Sequence, residues 1–156
     1  MNYNLIIAIC LFILGVLVGY LFSLRYSKRT SFYKALSEFN SDFISSLTFN
    51  FEELPTLLNR NYNNEDFERT LNSFNYQNDQ VLFLPNYLNK REKNEIMLYF
   101  SKLGCVDAIT QLQMLKRYEC IFDKTINECR ALEQKEGVLC KKMGVIVGII
   151  IFVLVV

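Results

Sequence analysis

Asp107 and Gln111 are the residues whose types and spacing could do chemistry. They are four positions apart, so on a helix a carboxylate base and an amide ligand would share one face. An aspartate that opens a helix after a glycine more commonly caps that helix, and a glutamine one turn later more commonly forms a surface or interhelical hydrogen bond. We therefore predict structural roles for both residues.

The cysteines and the absence of histidine limit the remaining chemistry. Without histidine, the sequence has no Ser-His-Asp triad, no Cys-His nucleophile and no His-ligated zinc. Its cysteines are odd in number and form no C-x-x-C pair, which predicts free thiols in a reducing compartment, mostly packed in a core or a membrane. They are Cys10, Cys105, Cys120, Cys129 and Cys140. With no glycine-rich phosphate loop either, the sequence favours a non-enzymatic protein without a cofactor or metal.

The distribution of charge divides the 156 residues into three parts. All charged residues lie between Arg25 and Lys142, so both ends are apolar. Residues 5–24 are long enough, at about 30 Å as a helix, to cross a membrane. A cleaved signal peptide is the alternative, but the basic residues follow the apolar run instead of preceding it. Residues 143–156 are predicted to form a second span, and its helix can extend back to Val138. The alternative is a buried strand or a core helix.

Positive charge predicts the orientation of these spans. Basic residues follow the first span and precede the second, so the middle domain, residues 25–142, should be cytosolic and both termini outside. The net charge of +1 is too small to favour binding to the phosphates of a nucleic acid. The basic residues near Tyr26 and Tyr33 are better suited to anionic lipid headgroups.

The middle domain is predicted to be helical, because it contains only two glycines and two prolines. An apolar stripe behind Ser31, a candidate N-cap, indicates a first helix; it consists of Phe32, Leu36, Phe39, Phe43 and Leu47. Asn64 is predicted to cap a second helix that carries Phe67, Leu71 and Phe74. The asparagine-rich residues 50–94 are interpreted as short helices because aromatic residues are interleaved there.

A helical hairpin is predicted to follow. One helix runs from Tyr87 to Gly104, where glycine can adopt the left-handed conformation, and Asp107 caps the next. The stripe of that long helix is Cys105, Ile109, Leu112, Leu115, Tyr118, Phe122, Ile126, Cys129 and Leu132. The predicted fold is thus all-α: a membrane-anchored helical bundle with a long carboxyl-terminal helical hairpin between two transmembrane helices.

Each apolar span contains a Gly-x-x-x-Gly motif. Gly15 and Gly19 lie in the first span, and Gly144 and Gly148 lie in the second. Both pairs are predicted to lie in the cytosolic half of the membrane, where their flat faces could meet in an antiparallel helix pair. Contact with other subunits and simple exposure to lipid are the alternatives.

The order of these motifs along the whole chain resembles stage III sporulation protein AB. The resemblance rests on Arg25-Tyr26-x-x-Arg29 after the first span, Leu103-Gly104-x-x-Asp107-x-x-x-Gln111, a long helix, and Lys142-Met143-Gly144 at the start of the terminal apolar run. That family is similar to the cytosolic helical-bundle domain of the type II secretion platform protein F. By this resemblance, the motif formed by Leu103, Gly104, Asp107 and Gln111 is structural, and there is no catalytic residue to carry over.

The resemblance implies a non-enzymatic platform in the channel between mother cell and forespore. Its implied partners are the other stage III sporulation A-series proteins, including a secretion-type ATPase that docks on the cytosolic side. The implied location is the outer forespore membrane, with the middle domain on the mother-cell side. A homo-oligomer is left open. The alternative is a membrane-tethered helical scaffold or signalling protein unrelated to sporulation.

Overall fold

The structure, a computed structural model, describes residues 3–50, 54–74 and 82–155. These residues form helices, turns and loops and contain no strand, so the predicted all-α class is confirmed for them. The α-helices are α1 (Tyr3–Ser45), α2 (Leu54–Leu58), α3 (Glu65–Ser73), α4 (Lys90–Ser101), α5 (Ala108–Leu132) and α6 (Val138–Val155). Short π-helices, Ser46–Asn50 and Glu133–Gly137, follow α1 and α5.

The chain divides into two compact units. The first unit comprises residues 1–30 and 128–156, and the second comprises residues 31–127. Residues 25–30 and 128–142, which the sequence assigned to the middle domain, therefore group with the two apolar ends. The membrane boundaries predicted at residues 24 and 143 stay predictions.

Ser31 does not begin a helix, and the predicted N-cap is wrong. It lies inside α1, which starts at Tyr3. No glycine or proline between residues 20 and 45 interrupts the helix, so a good capping residue there has no free helix end to cap. The Ser31 hydroxyl instead accepts a hydrogen bond from Asn64 Nδ2 at 2.9 Å.

The helices of the second unit begin at well-formed caps. Asn64 Oδ1 accepts from the Phe67 backbone N–H at 2.9 Å, which confirms the predicted cap of α3. At α4, Asn89 Oδ1 accepts from the Glu92 N–H, and the Glu92 carboxylate accepts from the Asn89 N–H. This reciprocal capping box places the start of α4 three residues beyond the predicted Tyr87.

Aromatic side chains from four helices fill the core of the second unit. Phe39 on α1 stacks on Phe100 of α4 at 6.1 Å between ring centroids, and Phe32 meets Phe67 of α3 edge-to-face at 5.6 Å. Phe122 of α5 is buried in the same unit. Each such pair contributes about 0.5–1.5 kcal/mol beyond the burial of its area, so these contacts stabilise the packing of the helices.

Asn40 links three helices through a completely buried side chain. Its Nδ2 donates to the Leu115 carbonyl at 3.1 Å, and its Oδ1 accepts from the Tyr99 hydroxyl at 3.1 Å. Burial, with a smaller contribution from neighbouring tyrosines, raises the pKa of Tyr99 well above its ordinary value, so the hydroxyl stays protonated and donates. Leaving one such buried group unpaired costs about 1–3 kcal/mol. Asn40 therefore selects one arrangement of α1, α4 and α5 within this unit.

Burial along α5 differs from the predicted stripe. Leu115, Phe122 and Ile126 are buried as expected, but Ile109 is 73% exposed. Gln111 takes the buried position near the helix start. Because Ile109 lies two residues before Gln111, the helical rotation places it on the opposite side.

The cysteines are free thiols, as predicted, but their placement differs from the prediction. Cys105 and Cys120 are exposed, whereas Cys129 is buried. Exposed thiols on the second unit are consequently available to labelling reagents.

The asparagine-rich region contains short helices where the structure describes it. Helices α2 and α3 lie in this region, and Leu57, Phe67 and Leu71 are buried. The parts of the prediction that concern residues 51–53 and 75–81 lie outside the described residues.

The first unit consists of the ends of the chain and exposes most of its large apolar side chains. Two helices in the described residues are long and apolar enough to cross a membrane, and their most apolar windows are only 17% and 11% buried. A core helix of a soluble protein buries most of such a window, whereas a lipid-facing helix does not. The exposure therefore favours membrane association.

Candidate functional site

The turn between α4 and α5 is built from the predicted motif residues. Gly104 has φ of +72°, the left-handed conformation expected for it. Its backbone N–H donates to Gln111 Oε1 at 3.2 Å, and Leu103 is 1% exposed. Asp107 Oδ2 accepts from the Thr110 N–H at 3.0 Å, which is the predicted cap of α5. The structure thus brings all four motif residues together at the turn between α4 and α5.

The electrostatics of this turn suit a structural role. Hydrogen bonds from Thr110 hold the pKa of Asp107 below its ordinary value. A lowered pKa makes the carboxylate a weaker base, and its contribution to folding is present at neutral pH and lost on acidification below about 4. Gln111 Nε2 is buried with no hydrogen-bond partner among the described residues, so only one end of this amide is satisfied.

The pKa values of two tyrosine hydroxyl groups are also shifted further from neutral pH. The Tyr87 hydroxyl donates to Asp66 Oδ2 at 2.9 Å, and burial, followed by that hydrogen bond, raises the pKa of Tyr87. Burial likewise raises the pKa of Tyr62. Acid–base catalysis works best with a pKa close to the working pH, so these groups are better suited to holding structure.

Among the described residues, no three His, Cys, Asp or Glu side chains lie together in a way that could hold a metal ion. Two cavities lie at the surface of the described part of the second unit. One, of about 480 Å³, is lined by Lys90, Arg91, Asn94, Glu95 and Leu98. Its open shape and single-helix lining differ from the enclosed, mostly apolar pockets that bind small molecules.

The four glycines of the apolar spans meet within the first unit. A Cβ placed on Gly19 would lie 2.7 Å from the Cys140 carbonyl oxygen and 2.8 Å from Gly144 Cα. A Cβ placed on Gly15 would lie 3.2 Å from Gly148 Cα. Since higher numbers on α1 match lower numbers on α6, the two helices are antiparallel, which is one of the arrangements that the sequence left open.

Two smaller contacts extend this face and were not predicted from the sequence. Gly137 is buried, and a Cβ there would lie 3.3 Å from the Ser23 Oγ. Ala8 is completely buried on α1. The sequence contained a signal for this longer face, namely a stripe of small residues at helical spacing. The stripe consists of Ala8, Gly15, Gly19 and Ser23.

A family comparison matches the carboxyl-terminal part of the chain. The family model of stage III sporulation protein AB matches residues 80–156. Over these residues, just under half of its length, the chain is similar to the stage III sporulation protein AB family. The match contains the α4–α5 turn and α6, so the resemblance seen in the sequence is confirmed there, whereas residues 1–79 lie outside it. No curated protein and no solved structure matches the chain.

The motif turn can be tested with substitutions at Gly104. Alanine there should lower the free energy of unfolding by about 1–2 kcal/mol, because a Cβ disfavours positive φ. Steric overlap is not the cause, since the nearest atom, Leu54 Cδ2, would lie 3.5 Å away. Asparagine, which tolerates this conformation, should cost less. The measurement is the thermal unfolding midpoint of the full chain in detergent, and equal midpoints for wild type and Gly104→Ala would contradict the assignment.

The helix pair can be tested with Gly19→Leu. The new side chain should separate α1 from α6, because its Cβ overlaps backbone atoms. Spin labels at Leu14 and Ile149, both exposed, report the interhelical distance in a background with the native cysteines replaced by alanine. We expect a longer and broader distance distribution. The matched control is Val18→Leu at the adjacent exposed position, which should leave the distribution unchanged. An unchanged distribution for Gly19→Leu as well would argue against glycine packing.

Proposed function

We propose that this protein is a non-enzymatic membrane platform of the sporulation channel between mother cell and forespore, and that its helical domain docks a secretion-type ATPase. The observation that carries the proposal is the family match over residues 80–156, since it includes both the α4–α5 turn and the apolar helix α6. The match supports a role in sporulation, and the helix pair supports a membrane anchor.

The arrangement of the chain is consistent with a platform. Residues 31–127 form a helical unit. Its aromatic core and the buried Asn40 fix the packing of its helices and thereby give the unit a defined surface. The chain that leads into this unit and the chain that leaves it both belong to the apolar first unit. A domain that is connected to a membrane anchor at both of its ends suits the proposed docking of a cytosolic ATPase.

The proposed orientation places the second unit in the cytosol. Cys120 is a suitable reporter because it is exposed, whereas Cys129, at 2% exposure, would label poorly whichever side it faced. In a variant that retains only Cys120, a membrane-impermeant maleimide should label the protein only after the cells are permeabilised. A variant with a single cysteine added after Val156 should label in intact cells. Labelling of Cys120 in intact cells would contradict the cytosolic assignment.

The role in sporulation can be tested by an in-frame deletion in the source organism. We expect the count of heat-resistant spores to collapse after normal engulfment and to recover with the intact gene. Complementation with Val18→Leu should also restore spores, whereas Gly19→Leu should restore fewer because the anchor is disrupted. Normal spore numbers in the deletion strain, with no paralogue to substitute, would favour a helical membrane scaffold with another purpose.

A further inference from the structure

The first unit carries a band of positive charge next to its apolar helices. Six basic residues lie within residues 20–30 and 133–142, against two acidic ones, Glu133 and Glu136. Apart from Lys141, which lies over the Tyr20 ring, four of the basic side chains are exposed and form no ion pair with any other residue that the structure describes. We call these four the basic band; they are Arg25, Lys28, Lys135 and Lys142.

The antiparallel register brings the band to one level of the helix pair. Lys141 Nζ lies 5.8 Å from the centroid of the Tyr20 ring, which shows that these residues are at the same height. From that level, Arg25 and Lys135 are five and six residues away in the same axial direction, or about 8–9 Å. Lys142 is next to Lys141, and Lys28 is about 12 Å from Tyr20. The band therefore spans about 13 Å along the helix axis, and long lysine and arginine side chains can reach the headgroups from both edges of this layer.

The neighbouring surfaces indicate what this layer meets. On the side toward Gly15 and Gly148, the helices expose large apolar side chains, including Leu17, Val18 and Ile146. Tyrosine and lysine at the end of an apolar span mark the membrane interface, where an aromatic ring and an ammonium group can reach polar headgroups. The two acidic residues in the layer are half-buried, so exposed charge there is mainly positive.

We infer that the basic band binds anionic phospholipid headgroups, with Arg25, Lys28, Lys135 and Lys142 contacting the phosphate groups. Exposed ammonium and guanidinium groups at this depth are attracted to a surface of net negative charge, whereas the phosphate of a zwitterionic headgroup is accompanied by a compensating cation. The selectivity would hold the helix pair at a fixed height in the bilayer. This inference rests on the membrane anchor of the proposed function.

Native mass spectrometry of the purified full chain in mild detergent tests the inference. The probes are phosphatidylglycerol and phosphatidylcholine with identical acyl chains. We expect the wild type to retain phosphatidylglycerol better by about tenfold or more, because each of the four basic residues adds to the preference for an anionic surface. Replacing all four band residues by glutamine should bring the ratio close to one. Soluble glycerophosphate at millimolar concentration should not compete, since a lipid and not a free phosphate is the ligand.

A matched control removes the same charge from the second unit. Lys90, Lys102, Lys116 and Lys124 are exposed there, and their replacement by glutamine should preserve the preference for phosphatidylglycerol. Equal loss in both quadruple variants would overturn the inference, because it would show a response to net charge alone. Equal retention of the two lipids by the wild type would also overturn it, and this result does not depend on whether any variant folds.

Carbonate extraction separates this inference from the proposed function. If wild-type protein stays in the membrane pellet but shows no lipid preference, the inference fails and the membrane platform stands. If carbonate releases the wild-type protein, the anchor fails and the inference fails with it. Retention of the band variant in the pellet, together with loss of its lipid preference, supports the inference.

Discussion

The backbone-to-backbone approach of Gly19 and Gly144 is the constraint on which the apolar helix pair depends. A Cβ on either residue would lie less than 3 Å from the other helix, so only glycine permits this spacing. In a bilayer, helices gain little from hiding apolar groups from one another, and close packing supplies the attraction instead. The contact also fixes the register, which in turn sets Lys141 beside Tyr20 and gathers the basic residues into one layer.

The second unit obtains its specificity from buried polar groups instead. Its aromatic side chains could pack in several ways, since they offer area more than direction. Asn40 and Gln111 restrict these choices, because the amide oxygen of each accepts a hydrogen bond from one particular donor. Asn40 accepts from the Tyr99 hydroxyl, and Gln111 accepts from the Gly104 N–H. A different packing would leave these groups unpaired, at a cost comparable to that of losing a large core side chain.

The sequence predicted local features well where one residue type has one physical use. Gly104 adopts positive φ, and Asn64 and Asp107 cap their helices, because these roles depend on neighbours within a few residues. The prediction for Ser31 was wrong because an N-cap also needs a free helix end, and Ser31 lies inside α1. The predicted burial of Ile109 was wrong because the average spacing of apolar residues does not reveal which of two nearby residues faces the core. An apolar pattern also does not predict that the amide of Gln111 takes the buried position.

The matched half of the chain is physically incomplete without the half that lies outside the match. Gly144 and Gly148 fall within residues 80–156, but the atoms that approach them belong to Phe12, Gly15 and Gly19. A glycine face on α6 serves close packing only if the opposing helix is equally narrow at the same heights. The stripe of small residues on α1 meets that requirement. The first apolar helix is therefore a structural partner of α6.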